Sequence, residues 1–259
     1  MYDIEMQKMS EEFLSCWQAA GEHIHNQARE LDLSWLRAHP YPPFMEHLSF
    51  RIGNQLFFVR VEDAEGEVEG PGTLEGLKSA ADGNGGHACI IPMRKKLPED
   101  KWMPDKGGWG LVDASSGSSI DPVSLVTDEK IEMTPWEIHD LAVQIVREHI
   151  EDKEYQLMSW QGNPEIDPSI WFIGESRGPE WVVVRATCYP EAHAALPQNW
   201  NSIVQQCISI SGTGHFASVA LASGEQKFES ENEEALPLYR GDRLYIQFSG
   251  LEGLTAEEQ

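Results

Sequence analysis

Two histidines occupy the same local pattern in the two halves of this chain of 259 residues. The segment Gly85-Gly86-His87 leads into one apolar run, and Gly212-Thr213-Gly214-His215 leads into another. A histidine repeated in this way could transfer a proton or bind a ligand, since its charge changes near neutral pH. It could also secure the start of each strand through a hydrogen bond to a backbone carbonyl. The pattern favours the structural role, and both histidines are also candidate binding residues.

Other histidines and acids lie close enough in sequence to suggest a metal site. They are His39, Glu46 and His47, and His139 with Glu148 or His149. Histidines beside prolines, or at non-ligand spacing on a helix, are more typical of hydrogen-bonded loops and polar faces, so we predict no metal site. The glycines at 83–86 precede a strand, whereas a phosphate loop precedes a helix. Neither a Walker lysine nor a Gly-x-Ser-x-Gly elbow occurs.

The elements that would position these residues are typical of an α/β (α+β) protein. Apolar residues at three- and four-residue steps predict helices at 10–36, 73–81, 134–151 and 199–208. Runs of β-branched and aromatic residues predict strands at 48–52, 56–61, 87–93, 109–114, 155–160, 169–173, 181–186, 215–222 and 243–248. Gly53-Asn54 predicts a tight hairpin turn, and Thr134-Pro135-Trp136-Glu137 predicts a capped helix start.

The two halves align as copies of one unit. Residues 44–53 align with 165–174, which places Glu46 on Asp167, and residues 56–62 align with 179–185. The separation between matched positions only grows along the chain, as loop insertions would produce. We therefore predict a first repeat at 1–118, a linker at 119–133 and a second repeat at 134–259, with mixed sheets flanked by helices, packed as an internal pseudo-dimer. Chance similarity between hydrophobic strands is the alternative.

Two strands of the second half carry a family resemblance. Glu165-Ile166-Asp167 leads into one strand, and Trp181-Val182-Val183-Val184-Arg185-Ala186 forms the next, followed by a helix and a further strand. This order, αβββαβ, resembles the core of the PD-(D/E)xK restriction-endonuclease-like superfamily. Its members carry an acid at the start of the second strand and an acid two residues before a lysine on the third. Residues i and i+2 of a strand face the same side, so these groups converge on one metal ion and one attacking water.

The superfamily's motif is only partly present. The resemblance implies that Asp167 is the first acid, but Val183 stands in place of the second acid and Arg185 in place of the lysine. Valine cannot bind a metal ion, and arginine cannot act as a base, although its fork can hold a phosphate or a carboxylate. In the first repeat the corresponding positions are held by Glu46, Arg60 and Glu62. Neither repeat keeps the full triad.

The charge of the chain bears on its partners. It has 43 acidic residues against 19 basic residues, a formal net charge of −24. Such a charge disfavours nucleic acid unless basic residues cluster, and only Arg94-Lys95-Lys96 does so. An acidic surface can aid solubility or attract a basic protein. The acidic N-terminus without a signal-peptide core predicts a cytoplasmic protein with no membrane span, and four cysteines without CxxC spacing predict free buried thiols.

Together these features predict a non-catalytic binding or regulatory protein on a degenerate nuclease-like fold, with a protein partner and no cofactor. The alternative is a nuclease or phosphodiesterase dependent on Mg²⁺, using Asp167 with Glu165 or Glu180, or Glu46 with Glu62. The candidate catalytic residues are Asp167, Glu165 and Arg185. The candidate binding residues are His87, His215, Glu46, Glu62 and Arg60. The sequence leaves the oligomeric state open.

Overall fold

The chain folds into two compact units, Met1–Glu129 (unit 1) and Lys130–Gln259 (unit 2). The computed structural model describes residues 10–36, 48–96, 101–176, 178–226, 228 and 234–254. The boundary falls inside the predicted linker at 119–133, but much of that segment belongs to the units themselves. Ile120 and Leu125 pack against the core of unit 1, and Met133 packs against the core of unit 2.

The hairpin turn at Gly53-Asn54 also attaches the end of unit 1. Gly53 has a φ of 54°, which favours glycine, and the turn joins the two strands as predicted. The Asn54 side-chain amide donates to Thr127 Oγ1 at 2.9 Å and to the carbonyl oxygen of Glu129 at 2.8 Å. Unit 1 therefore extends past residue 118, where the sequence predicts the end of the first repeat.

The described residues of unit 1 form two α-helices, a short 3-10 helix and a six-stranded mixed sheet. In chain order the elements are α1 (Glu11–Gln27), β1 (Leu33–Trp35), β2 (Leu48–Ile52), β3 (Gln55–Asp63), α2 (Leu74–Gly83), β4 (His87–Lys96), β5 (Lys101–Pro104), β6 (Val112–Asp113) and the 3-10 helix (Pro122–Leu125). The strand order is β1-β2-β3-β4-β5, and β6 also pairs with β4. β3 and β4 are parallel, whereas the other pairs are antiparallel.

The first helix is shorter than predicted. Ser10 caps α1 by accepting a hydrogen bond from the N–H of Phe13 at 3.1 Å, and the helix ends at Gln27. The predicted helix ran on to residue 36, but Leu33–Trp35 form β1 at the edge of the sheet. There the rings of Trp35 and Phe50 pack edge to face, with their centroids 6.0 Å apart. In so short a segment the spacing of apolar residues cannot distinguish a helix from a strand. Hydrogen bonding to β2 makes these residues a strand.

In unit 2, the part of the chain that the structure describes forms two helices and a second six-stranded mixed sheet. In chain order the elements are α3 (Pro135–Asp152), β7 (Gln156–Trp160), β8 (Ile170–Ile173), β9 (Pro179–Cys188), α4 (Trp200–Cys207), β10 (Gly214–Ser223), β11 (Leu244–Phe248) and β12 (Glu252–Leu254). The strand order is β11-β10-β9-β8-β7, and β12 also pairs with β10. The predicted start of α3 is confirmed: Thr134 and Glu137 form a reciprocal capping box.

The two units share one element order and one pattern of strand pairing. Each has a helix, three antiparallel strands, a second helix, a fourth strand parallel to the third, and two further strands that pair with the fourth. This confirms the predicted α/β (α+β) class with two αβββαβ-type units, each a mixed sheet with helices. The sequence did not predict β1, β5 or β12, which have three or four residues and so lack a recognisable pattern.

The helices cover apolar faces of the sheets. In unit 1, α1 packs Phe13, Trp17 and Ile24 into a core with the rings of Phe50 and Phe57. In unit 2, alternate residues of β9 serve different cores: one cluster contains residues of α3, and the other contains residues of α4. A strand buried on both faces explains why the run at 181–184 is continuously apolar. None of the described helices is both long and apolar enough to cross a membrane.

The four cysteines are free thiols, as predicted. Burial, with a smaller contribution from nearby carboxylates, raises the pKa of Cys16 and Cys89 to about 12 and that of Cys207 to about 11. These thiols are therefore protonated at neutral pH and are poor nucleophiles.

Candidate functional site

Asp167 and Arg185, which the sequence places at the degenerate motif, contact each other in unit 2. Asp167 precedes β8, and Arg185 lies in β9, which pairs antiparallel with β8. The guanidinium donates from Nη1 to Oδ1 at 2.9 Å and from Nη2 to Oδ2 at 2.6 Å. Nη1 also donates to the carbonyl oxygen of Val184 at 2.8 Å. Both carboxylate oxygens of Asp167 are thus bound by a cation, and only 9% of that side chain is exposed.

The other residues of the predicted catalytic group do not join this pair. Val183, at the position of the second acid, is fully buried in the core that contains residues of α4. Both this side chain and its neighbours in that core are apolar. Glu165 is exposed in a turn, where its N–H donates to Asn163 Oδ1 at 3.0 Å. The arrangement can neutralise a carboxylate, but it does not gather acids around one point.

The charges of this pair act on the pKa of a buried histidine of α3. His139 is 4% exposed, and among the described residues its Nε2 has no hydrogen-bond partner. Burial lowers the pKa of His139 to about 4; the positive charge of Arg185 acts in the same direction, and Asp167 opposes it. The ring is therefore neutral at physiological pH. In the described part of the chain, no group of three or more His, Cys, Asp or Glu side chains is arranged to hold a metal ion.

His139 is expected to make the stability of the chain depend on pH. Its pKa is 6.5 when unperturbed and about 4 in the folded chain, so between these values the unfolded state binds more protons. The free energy of unfolding should therefore fall as the pH is lowered from 6.5 to 4, by about 1.4 kcal/mol for each unit of pKa difference. Urea unfolding of the wild type and His139→Leu across this range measures the effect. Measurements at pH 7.5 isolate any packing change, and parallel curves below 6.5 would contradict the assignment.

The two recurring histidines make equivalent hydrogen bonds in the two units. His215 Nε2 lies 2.8 Å from Glu180 Oε2, and His87 Nε2 lies 3.0 Å from Gln55 Oε1. The strand register pairs His215 with Val182 and His87 with Phe57, so the acceptor is in each case two residues earlier on the neighbouring strand. Each histidine thus contacts the preceding strand through a side-chain oxygen, whereas the sequence predicted a bond to a backbone carbonyl.

The acceptor carries a charge only in unit 2. Burial opposes ionisation of Glu180, but hydrogen bonds from Ser176 and the contact with His215 outweigh it and hold the pKa of Glu180 below its usual value. The carboxylate accepts the N–H of Ser176 at 3.0 Å. Glu180 is thereby committed to a hydrogen-bonded contact and is not a free ligand for a metal ion.

The glycine before each histidine makes room for an aromatic ring. A Cβ atom on Gly214 would overlap the indole of Trp181, and one on Gly86 would lie 2.8 Å from Phe58 Cε2. The Gly-His pattern thus has two physical parts: a close approach to a ring, and a polar contact to the preceding strand. This accounts for the motif without a catalytic role.

Gly214→Ala is expected to lower the free energy of unfolding by about 1–3 kcal/mol, because the added methyl group overpacks the site against Trp181. Gly212→Ala is the matched control in the same turn, since a Cβ there meets nothing within 4 Å. Thermal and urea unfolding of both variants compare the two sites. Equal losses at both positions would show that the ring contact is not the reason for Gly214.

The register also corrects the alignment of the two halves. Arg60 pairs with Ile90 of β4, and Arg185 pairs with Ser218 of β10. In each unit the partner lies three residues after the recurring histidine of the same strand. Arg60 therefore corresponds to Arg185, whereas the sequence alignment placed Glu62 there. Hydrophobic strands look alike when shifted by a residue or two, and only the hydrogen-bond ladder fixes their register.

Arg60 and Glu62, both predicted as binding residues, form an ion pair with each other. Arg60 Nε lies 3.0 Å from Glu62 Oε1, and Nη1 donates to the carbonyl oxygen of Gly72 at 2.5 Å. The arginine thus fastens the loop that follows β3. Glu46, the remaining predicted binding residue, lies outside the described residues, as do His39 and His47.

The ion pair between Arg240 and Glu137, the most buried one among the described residues, was not predicted from the sequence. Arg240 donates from Nε to Glu137 Oε1 at 2.9 Å and from Nη2 to Oε2 at 2.7 Å, and the two side chains are 1% and 2% exposed. The capping box predicted a role for Glu137 at the start of α3. Nothing local marks Arg240 as its partner, because the two residues are far apart in the chain.

Comparison with known proteins bears on unit 2. Residues 136–254 match the family described as "Domain of unknown function (DUF8840)". No curated protein and no solved structure matches the chain. The matched segment begins in α3 and ends at the last residue of β12, so it covers every helix and strand of unit 2. Unit 2 is therefore similar to this family.

Proposed function

We propose that this chain is a non-catalytic binding protein, made of two diverged copies of a degenerate nuclease-like unit, whose partner is a protein with a basic surface. One observation carries the proposal: both carboxylate oxygens of Asp167 are bound by Arg185. In the superfamily that the sequence resembles, an acid at this position binds the catalytic metal ion. Here a guanidinium takes that place, and an arginine remains charged at any physiological pH.

Support for the nuclease-like unit comes from the order αβββαβ, which occurs in both halves with the same strand pairing. Support for divergence from one unit comes from the recurring Gly-His contacts and from the matching positions of Arg60 and Arg185. The fully buried Val183 supports the loss of catalysis, because a carboxylate at that position would have to be placed among apolar side chains. Four free thiols fit the reducing cytoplasm.

Support for a basic partner comes from charge. The net charge is −24, and two residues of the one basic cluster, Arg94 and Lys95, are already paired with carboxylates. Arg94 contacts Glu65 at 2.6 Å and Asp105 at 2.8 Å, and Lys95 contacts Glu12 at 2.7 Å. Phosphates would have to compete with these carboxylates, so nucleic acid is a poor partner.

A metal-dependent phosphodiesterase would need the acids to be arranged differently. Glu180 is bound to His215, Glu62 to Arg60 and Asp167 to Arg185. No contact in the described residues favours this second function.

The test compares catalysis with binding in the purified chain. Single- and double-stranded DNA and RNA are incubated with Mg²⁺ or Mn²⁺, and calorimetry measures binding of the metal ions, a lysine-rich peptide and a short DNA duplex. We expect no cleavage above that of Asp167→Ala, and binding of the peptide but not of the duplex. Metal-dependent cleavage that Asp167→Ala abolishes would overturn the proposal.

A further inference from the structure

An open cleft of about 560 Å³ lies within unit 2, beside the end of β10 and the residues that precede β11. It combines charges of both signs with an apolar wall. Its lining residues are Lys130, Ser223, Gly224, Glu225, Leu236, Pro237, Tyr239, Asp242 and Arg243. None of them belongs to the Asp167–Arg185 or Glu180–His215 pairs.

One cation already occupies the cleft. The Lys130 ammonium forms an ion pair with Asp242 and lies 5.1 Å from the centre of the Tyr239 ring. An aromatic face together with a carboxylate is the combination by which proteins recognise ammonium groups. The hydrogen bond to Asp242 raises the pKa of Lys130, so its charge is kept. Yet 62% of the lysine side chain is exposed, which leaves it free to be displaced.

The wall of the cleft is more firmly held than its occupant. The N–H of Met133 donates to the carbonyl oxygen of Leu238 at 2.8 Å, and the N–H of Arg240 donates to that of Ile131 at 2.9 Å. The Arg240 side chain is fixed by its buried ion pair with Glu137, and Leu238 packs into the core. Tyr239 lies between these two anchored residues, so its backbone is held independently of Lys130.

Charge and shape suit a long basic side chain. Without Lys130, the carboxylates of Glu225 and Asp242 face a single guanidinium, that of Arg243, and the cleft has a net negative charge. Leu236 is 43% exposed beside Pro237, which provides apolar surface for the methylene groups of a lysine. The ligand class is therefore an ammonium on an alkyl chain.

We propose that this cleft binds a lysine side chain of the basic partner, and that Lys130 occupies it until the partner displaces it. The inference rests on the proposed function, because it assumes a basic protein partner. Lys130 acts as an internal competitor. Its removal exposes a site that is already formed.

Calorimetry with the full chain and a short peptide of lysine, glycine and serine tests the site. Lys130→Ala should raise the affinity for this peptide about three- to tenfold, because a competing occupant lowers the fraction of competent sites. Lys153→Ala is the matched control, since it removes the same charge from an exposed position at the end of α3. Adding Asp242→Asn to Lys130→Ala should return the affinity to the wild-type value or below, whereas adding Asp152→Asn should not.

The outcomes separate the two proposals. If Lys130→Ala and Lys153→Ala change the affinity by the same factor, or if a peptide with acetylated lysines binds equally well, the lysine site is wrong while a basic partner still stands. If neither the wild type nor Lys130→Ala binds the peptide, both the lysine site and the basic partner are wrong. Metal-dependent cleavage of nucleic acid would instead remove the proposed function itself.

Discussion

Arg240→Ala is expected to lower the free energy of unfolding by about 3–5 kcal/mol, because it leaves the Glu137 carboxylate buried without its cation. Glu137 is 2% exposed, and Arg240 contacts both of its oxygens. The bond from the Thr134 N–H to this carboxylate, at 2.9 Å, does not replace the lost positive charge. The loss should therefore exceed that from any exposed ion pair of the chain.

Urea unfolding followed by circular dichroism measures this loss. Arg243→Ala is the matched control, three residues further along the same segment but exposed, and it should change the free energy of unfolding by no more than about 0.5 kcal/mol. A double variant, Glu137→Gln with Arg240→Met, should recover part of the stability, since it leaves no charge buried. Similar losses for Arg240→Ala and Arg243→Ala would contradict the importance of the buried pair.

The coupling between Asp167 and Arg185 is expected to be about 2–3 kcal/mol in a double-mutant cycle. The guanidinium makes two parallel hydrogen bonds to a carboxylate that is 9% exposed. In unit 1 the arginine at the matching position, Arg60, contacts a carboxylate that is 40% exposed. The coupling between Arg60 and Glu62 should therefore stay below about 1 kcal/mol, in the range of surface pairs.

Four single variants and two double variants complete both cycles: Asp167→Ala, Arg185→Ala, Arg60→Ala and Glu62→Ala, with the two combined pairs. Comparing coupling energies, and not single losses, removes the contribution of the bonds from Arg60 to loop carbonyls. Equal couplings in the two units would mean that the Asp167 carboxylate is more hydrated than its contacts indicate, and would weaken the reason for assigning it a non-catalytic role.

The local features of the chain were readable from the sequence. The Gly53-Asn54 turn and the capping box at Thr134 and Glu137 both form as predicted. Each depends on residues within a few positions of one another, so the pattern holds the whole interaction. In unit 2 the element order αβββαβ follows from such segments, because long apolar runs and amphipathic helices keep their character in any tertiary context. In unit 1 the predicted elements lack the first strand, since β1 lies in a segment predicted as helix.

The candidate site was readable only in part. The sequence named Asp167 and Arg185 together and recognised that the superfamily's triad is incomplete, because residue types alone decide whether a metal ligand is present. It did not place Gln55 and Glu180 opposite the recurring histidines, and it misaligned Arg60. Those assignments depend on strand register, and apolar strands carry little information about register.

The sequence by itself determined where helices, turns and most strands form, and that acids dominate the surface chemistry. Only the tertiary structure decided which charges meet: Arg185 with Asp167, Arg240 with Glu137, and Lys130 with Asp242 beside Tyr239. The pairing with β2 also made residues 33–35 an edge strand and not part of a helix. The physical reason is common to all of these. An ion pair or a strand pairing between distant segments leaves no local pattern, because its geometry exists only after the sheets and helices have packed.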